Sequence, residues 1–396
     1  MSRLLLAAGL LVLLLFAYLT AIRSAFVLVY GLTLVLGLAY LWPRRVVGRI
    51  RVTRHIEAGT PTVGEAFEES FTAEKDGWVP APWVEIRDLS EIPGYQPGRV
   101  VSLGDPVTWT HRGTYRQRGW MTFGPTRVKV QEPFGLFSRE VRLNQRHKIL
   151  VYPRIRPMPE FVMPAQEHSG DARRLSSAWA DYPPETSGVR DYAEGDSLGR
   201  IHWKLSAKYG QMMSKTFEQP LTSDLLIVLD LQRSAHHGRG EESTLEYAIS
   251  VAASINAQVH SQGRQVGLVT NDSRGTVLTP HRAFRLERAV HEYLAIAQAD
   301  GDLPIHSAQV WDRIRKLPGR MLAVITPSTE VTWLRNLESV PHKRTARVAF
   351  YIDAASFGAP DPHLTFDLHS DVELFVVQKG DDLSRLMKTR NAVRLV

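Results

Sequence analysis

The sequence predicts three parts: an N-terminal transmembrane helical hairpin, a small β-sandwich-like domain and a doubly wound α/β domain. Three observations predict it. Two uncharged apolar runs open the chain, short alternating segments follow, and continuous apolar runs separated by helical patterns close it. The expected boundaries are 1–45 for the hairpin, 46–153 for the sandwich, 154–189 for a linker and 190–396 for the α/β domain.

The hairpin rests on Leu4–Ile22 and Ala25–Trp42, which carry no charge and are separated only by Arg23 and Ser24. Each is near the roughly 20 residues a helix needs to cross a bilayer. Arg44, Arg45, Arg49, Arg51 and Arg54 follow, and the first acidic residue of the chain is Glu57. Arginines just past a span stay in the cytoplasm, so the remainder of the chain is expected there. Arg3 places the N-terminus on the same side, as two spans require. Tyr40 and Trp42 suit the interfacial belt. A cleaved signal peptide would explain Arg3 and the first run, but not the second run directly after it. The expected location is therefore the cell membrane, multi-pass, with a lipid bilayer as one partner.

From Val46 to Pro153, segments such as "GEAFEESFTAEK" and "APWVEIRDL" alternate apolar and polar residues, as half-buried strands do. Gly, Pro and Asp break β-branched and aromatic runs at about ten-residue spacing, which points to an antiparallel sandwich or barrel. Pro153, Pro157, Pro159 and a Ser/Gly/Pro-rich stretch then mark the linker.

The last part alternates buried strands with helices. "LLIVLD" (Leu225–Asp230), "QVGLVT" (Gln265–Thr270), "RMLAVITP" (Arg320–Pro327), "RVAFYID" (Arg347–Asp353) and "DVELFVVQ" read as strands covered on both faces. "RGTVLTP" suggests a short edge strand. Helical patterns lie between them, and "DDLSRLMKT" suggests a closing helix. This is the pattern of a doubly wound sheet, whose ligands sit at the carboxyl ends of the strands. Asp230, Thr270 and Thr326 end three of them.

The formal charge is +7, and much of the excess lies beside the membrane segment. No stacking motif interleaves with the arginines, so no nucleic-acid partner is expected. The absence of cysteine excludes disulfides, a thiol nucleophile and thiolate-held metals. No phosphate-binding loop, nucleophile elbow or H-E-x-x-H is present. Asp230 with Ser234 four residues on resembles the metal-ion-dependent adhesion motif of von Willebrand factor type A domains, and Thr270 could supply that motif's threonine. A hard divalent cation needs charge and small oxygen ligands. Gln232 stands where the first serine would be, and Pro327 where an aspartate would be. The expectation is a capping role for Asp230 and no cofactor, with Mg²⁺ the alternative. A metal-dependent or hydrolytic enzyme centred on Asp230, with the His202 region, is the alternative function.

The densest chemistry is "RDYAEGDSLGRIHWKLSAKYG", Arg190–Gly210. Asp196 is expected to cap a helix from about Ser197 to Tyr209, with Leu198, Ile201, Leu205 and Tyr209 facing a core. His202 and Trp203 fall off that stripe. With no nucleophile or pocket in view, the physical reading is a clamp, or a docking surface anchored by Trp203 and His202.

Arg190, Tyr192, Gly195, Asp196, Arg200, Ile201, Trp203, Lys204, Ser206 and Ala207 resemble the signature of the family called domain of unknown function 58. "RGTYRQRGWMTFGPTRVKVQEPFGLF" resembles a second run of that family, with Glu132 for its aspartate. The resemblance implies a membrane-anchored protein with a von Willebrand type A-like C-terminal domain. It also implies a MoxR-type AAA+ ATPase and other membrane proteins as partners, and no known catalytic residues. The expected function is a non-enzymatic, membrane-tethered adaptor or scaffold.

Overall fold

The computed structural model describes residues 2–57, 59–159, 161, 186–193, 201–217, 223–279, 286–317, 319–340, 346–360, 365–366, 372–386 and 393–394. The chain divides into two compact units, Met1–Arg154 and Ile155–Val396.

The first unit opens with α1 (Ser2–Thr20) and α2 (Arg23–Val47), which pack against each other. The chain reverses at Ala21 and Ile22, with Ala21 at φ 51°. Helix α2 is long and apolar enough to cross a bilayer. Its last turns carry Val46 and Val47 into the core of the β structure that follows.

Among the described residues, that structure has nine strands: β1 (Ile50–Ile56), β2 (Ala66–Lys75), β3 (Ala81–Asp88), β4 (Gly98–Leu103), β5 (Val107–Thr114), β6 (Gly119–Phe123), β7 (Thr126–Gln131), β8 (Ser138–Leu143) and β9 (His147–Val151). They form sheets ordered β1-β2-β5 and β4-β3-β7-β8, plus a β6-β9 pair, all antiparallel. Val52, Phe71 and Trp109 of one sheet meet Val84, Ile86 and Val128 of the other in a single buried cluster. This is the layering that alternating apolar residues dictate.

One residue departs from its expected role. Arg54, read as a juxtamembrane arginine, is buried in this unit. It pairs with Asp88 and, at 3.5 Å, with Glu69, both fully enclosed. Tyr95 donates to Glu69 at 2.5 Å, and Ser90 donates to Asp88. The alternation of β1 decides this, because an arginine at an inward position must bring its counter-charges with it.

The second unit does not begin as a bare linker. Met158 and Phe161 are buried against a helix of the α/β core, and Gln258 Nε2 donates to both of their carbonyls at 3.1 and 2.8 Å. Strand β10 (Thr186–Asp191) also starts inside the segment read as linker. Then come α3 (Trp203–Tyr209), β11 (Met213–Phe217) and β12 (Ser223–Leu229). A two-residue hairpin, β13 (Gly238–Arg239) and β14 (Glu242–Ser243), leads into α4 (Thr244–Ser261). Next are β15 (Val266–Thr270), β16 (Val277–Leu278), α5 (Leu286–Ile296), α6 (Ala308–Lys316), β17 (Gly319–Thr326), α7 (Thr332–Glu338), β18 (Ala346–Ile352), β19 (Thr365–Phe366), β20 (Val372–Val377) and β21 (Val393–Arg394).

The main sheet runs β16-β15-β12-β17-β18-β20. Its strands are parallel except β16, the short antiparallel edge. Alternate residues of β12 serve opposite layers. Leu225, Ile227 and Leu229 pack with α4 and α5, whereas Leu226 and Val228 pack with Trp311 of α6 and Trp333 of α7. Both faces are covered, which is why these strands read as unbroken apolar runs. The expected closing helix is a 3-10 turn at Leu383–Arg385, and 387–389 lie outside the described residues.

Candidate functional site

Two places in the second unit carry the residues singled out by sequence. The first is the carboxyl edge of the main sheet. From β12 the chain crosses to β15 on one side, and β17, β18 and β20 then build outward on the other. The order therefore reverses between β12 and β17, the position where open α/β sheets form their ligand crevice. Asp230 follows β12 and Thr326 ends β17, so both belong to this point.

The crevice is filled by its own side chains. Asp230 is fully buried. Thr326 Oγ1 donates to its Oδ2 at 2.6 Å. Asn271 Nδ2 donates to Oδ1 at 2.8 Å, and the Gln232 backbone N–H donates to the same oxygen at 3.0 Å. The Asn271 Oδ1 accepts from Leu231 N at 2.6 Å, locking the amide orientation. His236 Nε2 lies 2.9 Å from the Asp230 carbonyl, which makes that nitrogen the protonated one. Its Nδ1 is 3.0 Å from the Thr244 hydroxyl.

Thr270 and Ser234 are engaged elsewhere. Thr270 Oγ1 donates to Asp272 Oδ1 at 2.9 Å and lies 3.0 Å from the Tyr293 hydroxyl. Ser234 Oγ accepts from Gln232 Nε2 at 2.8 Å. Burial alone would raise the Asp272 carboxyl, but bonds from Thr276, Tyr293 and Thr270 hold it below the usual range. Burial first, and then the Asp272 charge, pushes the Tyr293 phenol up.

This donor set does not fit a divalent cation. An amide NH₂, a hydroxyl and a backbone N–H already point at the Asp230 oxygens, where a cation would have to sit. Among the described residues, no cluster of three or more His, Asp or Glu has metal-holding geometry. Asn271 was not among the sequence candidates. In "TNDSRG" it reads as a turn former, and only the β15 register brings it under Asp230.

The second place is the signature itself. Strands β10 and β11 form an antiparallel hairpin, with Arg190 opposite Ser214 and Asp191 opposite Met213. Ile201 bridges Ser214 and is buried. That extended bridge separates Ile201 from α3, which begins at Trp203; the expected helix start near Ser197 lies outside the described residues. His202 caps α3, its Nδ1 accepting from Leu205 N at 3.3 Å. The expected cap Asp196, with Gly195 and Arg200, lies outside the described residues.

Ser206 ties the helix to β11. Its hydroxyl donates to His202 O at 3.1 Å and accepts from Met213 N at 2.9 Å. Gly210 ends the helix at φ 72°, a conformation glycine adopts without Cβ strain. Gln211 Nε2 donates to Asp191 Oδ1 at 3.0 Å, closing the hairpin. Tyr192 N donates to Met212 O at 2.9 Å. The expected core positions divide: Ile201 is buried, Leu205 half-buried and Tyr209 exposed. The outer surface carries Trp203, Tyr209 and Met212, exposed by 66%, 61% and 54%. Lys204 and Lys208 lie beside them, with the Lys208 ammonium 5.7 Å from the Tyr209 ring.

Fold and site together define a mixed α/β protein with an apolar N-terminal helix and a β-rich N-terminal region. Its residues 188–312 match the family described as "Protein of unknown function DUF58", the family that the signature resembles. The match runs from within β10 into α6, so it includes α3, β11, Asp230 and Asn271 but stops short of Thr326. The chain is 25% identical over 188 residues to "Uncharacterized protein YeaD" of Bacillus subtilis (strain 168). That alignment covers 48% of this chain and 45% of the relative, so the chain matches less than half of that protein's length. Among solved structures, the CARDB domain of the PF1109 protein from Pyrococcus furiosus overlaps 26% of this chain and 89% of its own, at 20% identity and a TM-score of 0.19. A PKD domain of an M14-like peptidase from a Thermoplasmatales archaeon overlaps 24% of this chain and 94% of its own, at 14% identity and a TM-score of 0.15. Neither overlap is extensive enough to inform the fold.

Proposed function

We propose that the protein is a non-enzymatic, membrane-tethered adaptor whose β10–β11 hairpin docks a protein partner. The observation that carries this reading is the exposed Trp203, Tyr209 and Met212 surface on a turn pinned by Ser206, His202 and Gly210. Large aromatic anchors on a rigid element are the residues that dominate protein–protein binding energy. Holding them in place beforehand lowers the ordering cost of binding.

The rest of the proposal fits around that surface. The two apolar helices tether the chain in a bilayer, and the arginines past α2 orient both soluble parts to the cytoplasm. The α/β unit is a von Willebrand type A-like domain whose metal position is closed by Asn271. The sheet order and the strand-end Asp230, Thr270 and Thr326 support that assignment. The family resemblance favours a MoxR-type AAA+ ATPase as the partner, in the assembly or maturation of other proteins.

Affinity capture of the detergent-solubilised full chain tests the reading. Recovery of an ATPase with the wild type, reduced at least roughly tenfold by Trp203→Ala at unchanged melting temperature, supports it. A loss of this size is typical of a binding anchor. Equal recovery by wild type and variant removes the hairpin from the interface. Turnover of a small substrate by pure protein would replace the adaptor with an enzyme.

A further inference from the structure

The first unit has an end whose exposed aromatic residues neither its core nor the proposed adaptor surface uses. Strand β3 begins where β7 ends, with Trp83 opposite Gln131. The β2–β3 and β7–β8 turns therefore lie at one end of the sandwich. Helix α2 enters at that same end, since Ile50 just beyond it pairs with Lys75 at the close of β2. Each turn displays a large aromatic side chain: Trp78 is 89% exposed and Phe134 68%.

The β7–β8 turn is held rigidly. The buried Glu132 carboxylate accepts from Phe134 N at 2.5 Å, from Phe137 N at 3.0 Å and from Leu136 N. Three backbone bonds to one carboxylate fix the turn that carries Phe134. The turn is also placed at a known level along α2. The Phe137 ring meets the Tyr40 ring edge-on at 5.5 Å. Tyr40 lies in the last three residues of the uncharged run Ala25–Trp42. Arg44 and Arg45, both exposed, are the first charges after it. The β2–β3 turn is tied to the same region, with Asp76 N donating to Arg49 O at 3.0 Å.

A turn that touches Tyr40 is level with the boundary between hydrocarbon and headgroups when α2 crosses a bilayer. Aromatic rings gather at that boundary, and adjacent arginines pair with lipid phosphate. We infer that this end of the β unit is a membrane-contact surface. Phe134 and Trp78 enter the headgroup layer, and Arg44 and Arg45 engage anionic lipid phosphates. The β unit then sits against the bilayer and does not hang from α2 on a free tether. The inference rests on α2 spanning the membrane, which is part of the proposed function.

The chain has no cysteine, so one introduced thiol carries one label. Phe134→Cys, Val35→Cys within α2 and Trp120→Cys in β6 would each be labelled with a polarity-sensitive fluorophore. The full chains would be placed in vesicles of phosphatidylcholine and phosphatidylglycerol bearing nitroxide lipids. Trp120 is the aqueous reference, because β6 follows the opposite end of β5, where Thr114 pairs with Ala66. The expected result is strong quenching at Phe134 by headgroup and shallow-chain nitroxides. Val35 should be quenched by deep-chain nitroxides and Trp120 by neither. Deep quenching at Val35 with a Phe134 label as water-exposed as Trp120 overturns the contact surface while α2 still spans, and leaves that end to a protein partner. An unquenched Val35 removes the span, and the contact surface with it.

Discussion

At the scale of single residues, the chemistry of Asp230 is decided by partners that a linear reading does not bring near it. Asp230, Thr270 and Thr326 were legible because each ends an apolar run. Asn271 was not, because its role comes from the parallel pairing of β12 with β15, which sets Leu229 against Thr270. Arg54 misled for a related reason: charge next to a span reads as juxtamembrane until strand phase is known. Asp230→Ala strips the acceptor from Asn271, Thr326 and the Gln232 N–H, all at a buried site. The expected cost is about 3 kcal/mol, read as a lower denaturant midpoint. The wild-type midpoint should not move when Mg²⁺ replaces chelator. A Mg²⁺-dependent rise abolished by Asp230→Ala would restore the adhesion-motif reading. His291 sets a pH dependence. Burial holds its imidazole below the ordinary value of 6.5, with the Glu287 charge opposing. Above that value the ring is neutral both folded and unfolded. As pH falls below it, the unfolded chain takes up a proton that the folded chain resists. The stability contributed by the neutral ring is therefore lost as pH falls toward the depressed folded value. His291→Gln should flatten this acid-side loss in denaturant titrations run at neutral and mildly acidic pH. An unchanged slope would mean that the folded state carries the charge.

At the scale of elements, periodicity was a good guide wherever one face was buried and a poor one where short bonds replaced packing. The strands of the main sheet and the long α4 were legible from hydrophobic pattern alone. The signature helix ends at Gly210 as expected, but it does not extend back through His202 and Ile201. Ile201 has helical spacing to Leu205, yet it pairs as a bridge with Ser214, and His202 takes over the cap. The β13–β14 pair had no signal, since a strand such as Gly238–Arg239 is too short to show a period, whereas "RGTVLTP" did announce the two-residue edge strand β16. Glycine at position 301 marks another such contact. There the backbone crosses beside the β12 loop, with Gly301 N donating to Leu231 O at 3.0 Å. A Cβ at Gly301 would lie 2.0 Å from the Asn271 carbonyl oxygen. That oxygen belongs to the backbone and cannot swing away. Gly301→Ala should therefore cost about 3 kcal/mol, and it should loosen the Asn271 amide that closes the Asp230 crevice. Thermal unfolding of the variant checks the first effect. A melting temperature equal to wild type would show that the two loops separate freely.

At the scale of the whole molecule, composition and order carried most of the fold because each part obeys a different solvent. The lipid-compatible runs, the half-buried sandwich strands and the doubly covered sheet strands leave different patterns, and none mimics the others. What composition alone cannot give is orientation, because that depends on which arginines remain outside the folded β unit. Of the five between Arg44 and Arg54, Arg54 is buried against Glu69 and Asp88, while Arg44, Arg45, Arg49 and Arg51 are exposed. Four exposed guanidinium groups within nine residues of the uncharged run support the proposed cytoplasmic side, although Arg51 also pairs with Asp76 at 2.8 Å. With Arg3 ahead of α1, the proposed two-helix hairpin would keep both ends there. The soluble parts should then be degraded by protease added to inverted membrane vesicles and survive in intact spheroplasts. Arg44→Glu with Arg45→Glu and Arg49→Glu should move part of the population to the opposite accessibility, since the retained Arg51 alone offers a weaker bias. Digestion of the wild type in spheroplasts would place both units outside the cytoplasm. A cytoplasmic ATPase could then no longer be the partner of the Trp203 surface, whatever the affinity of that surface for protein.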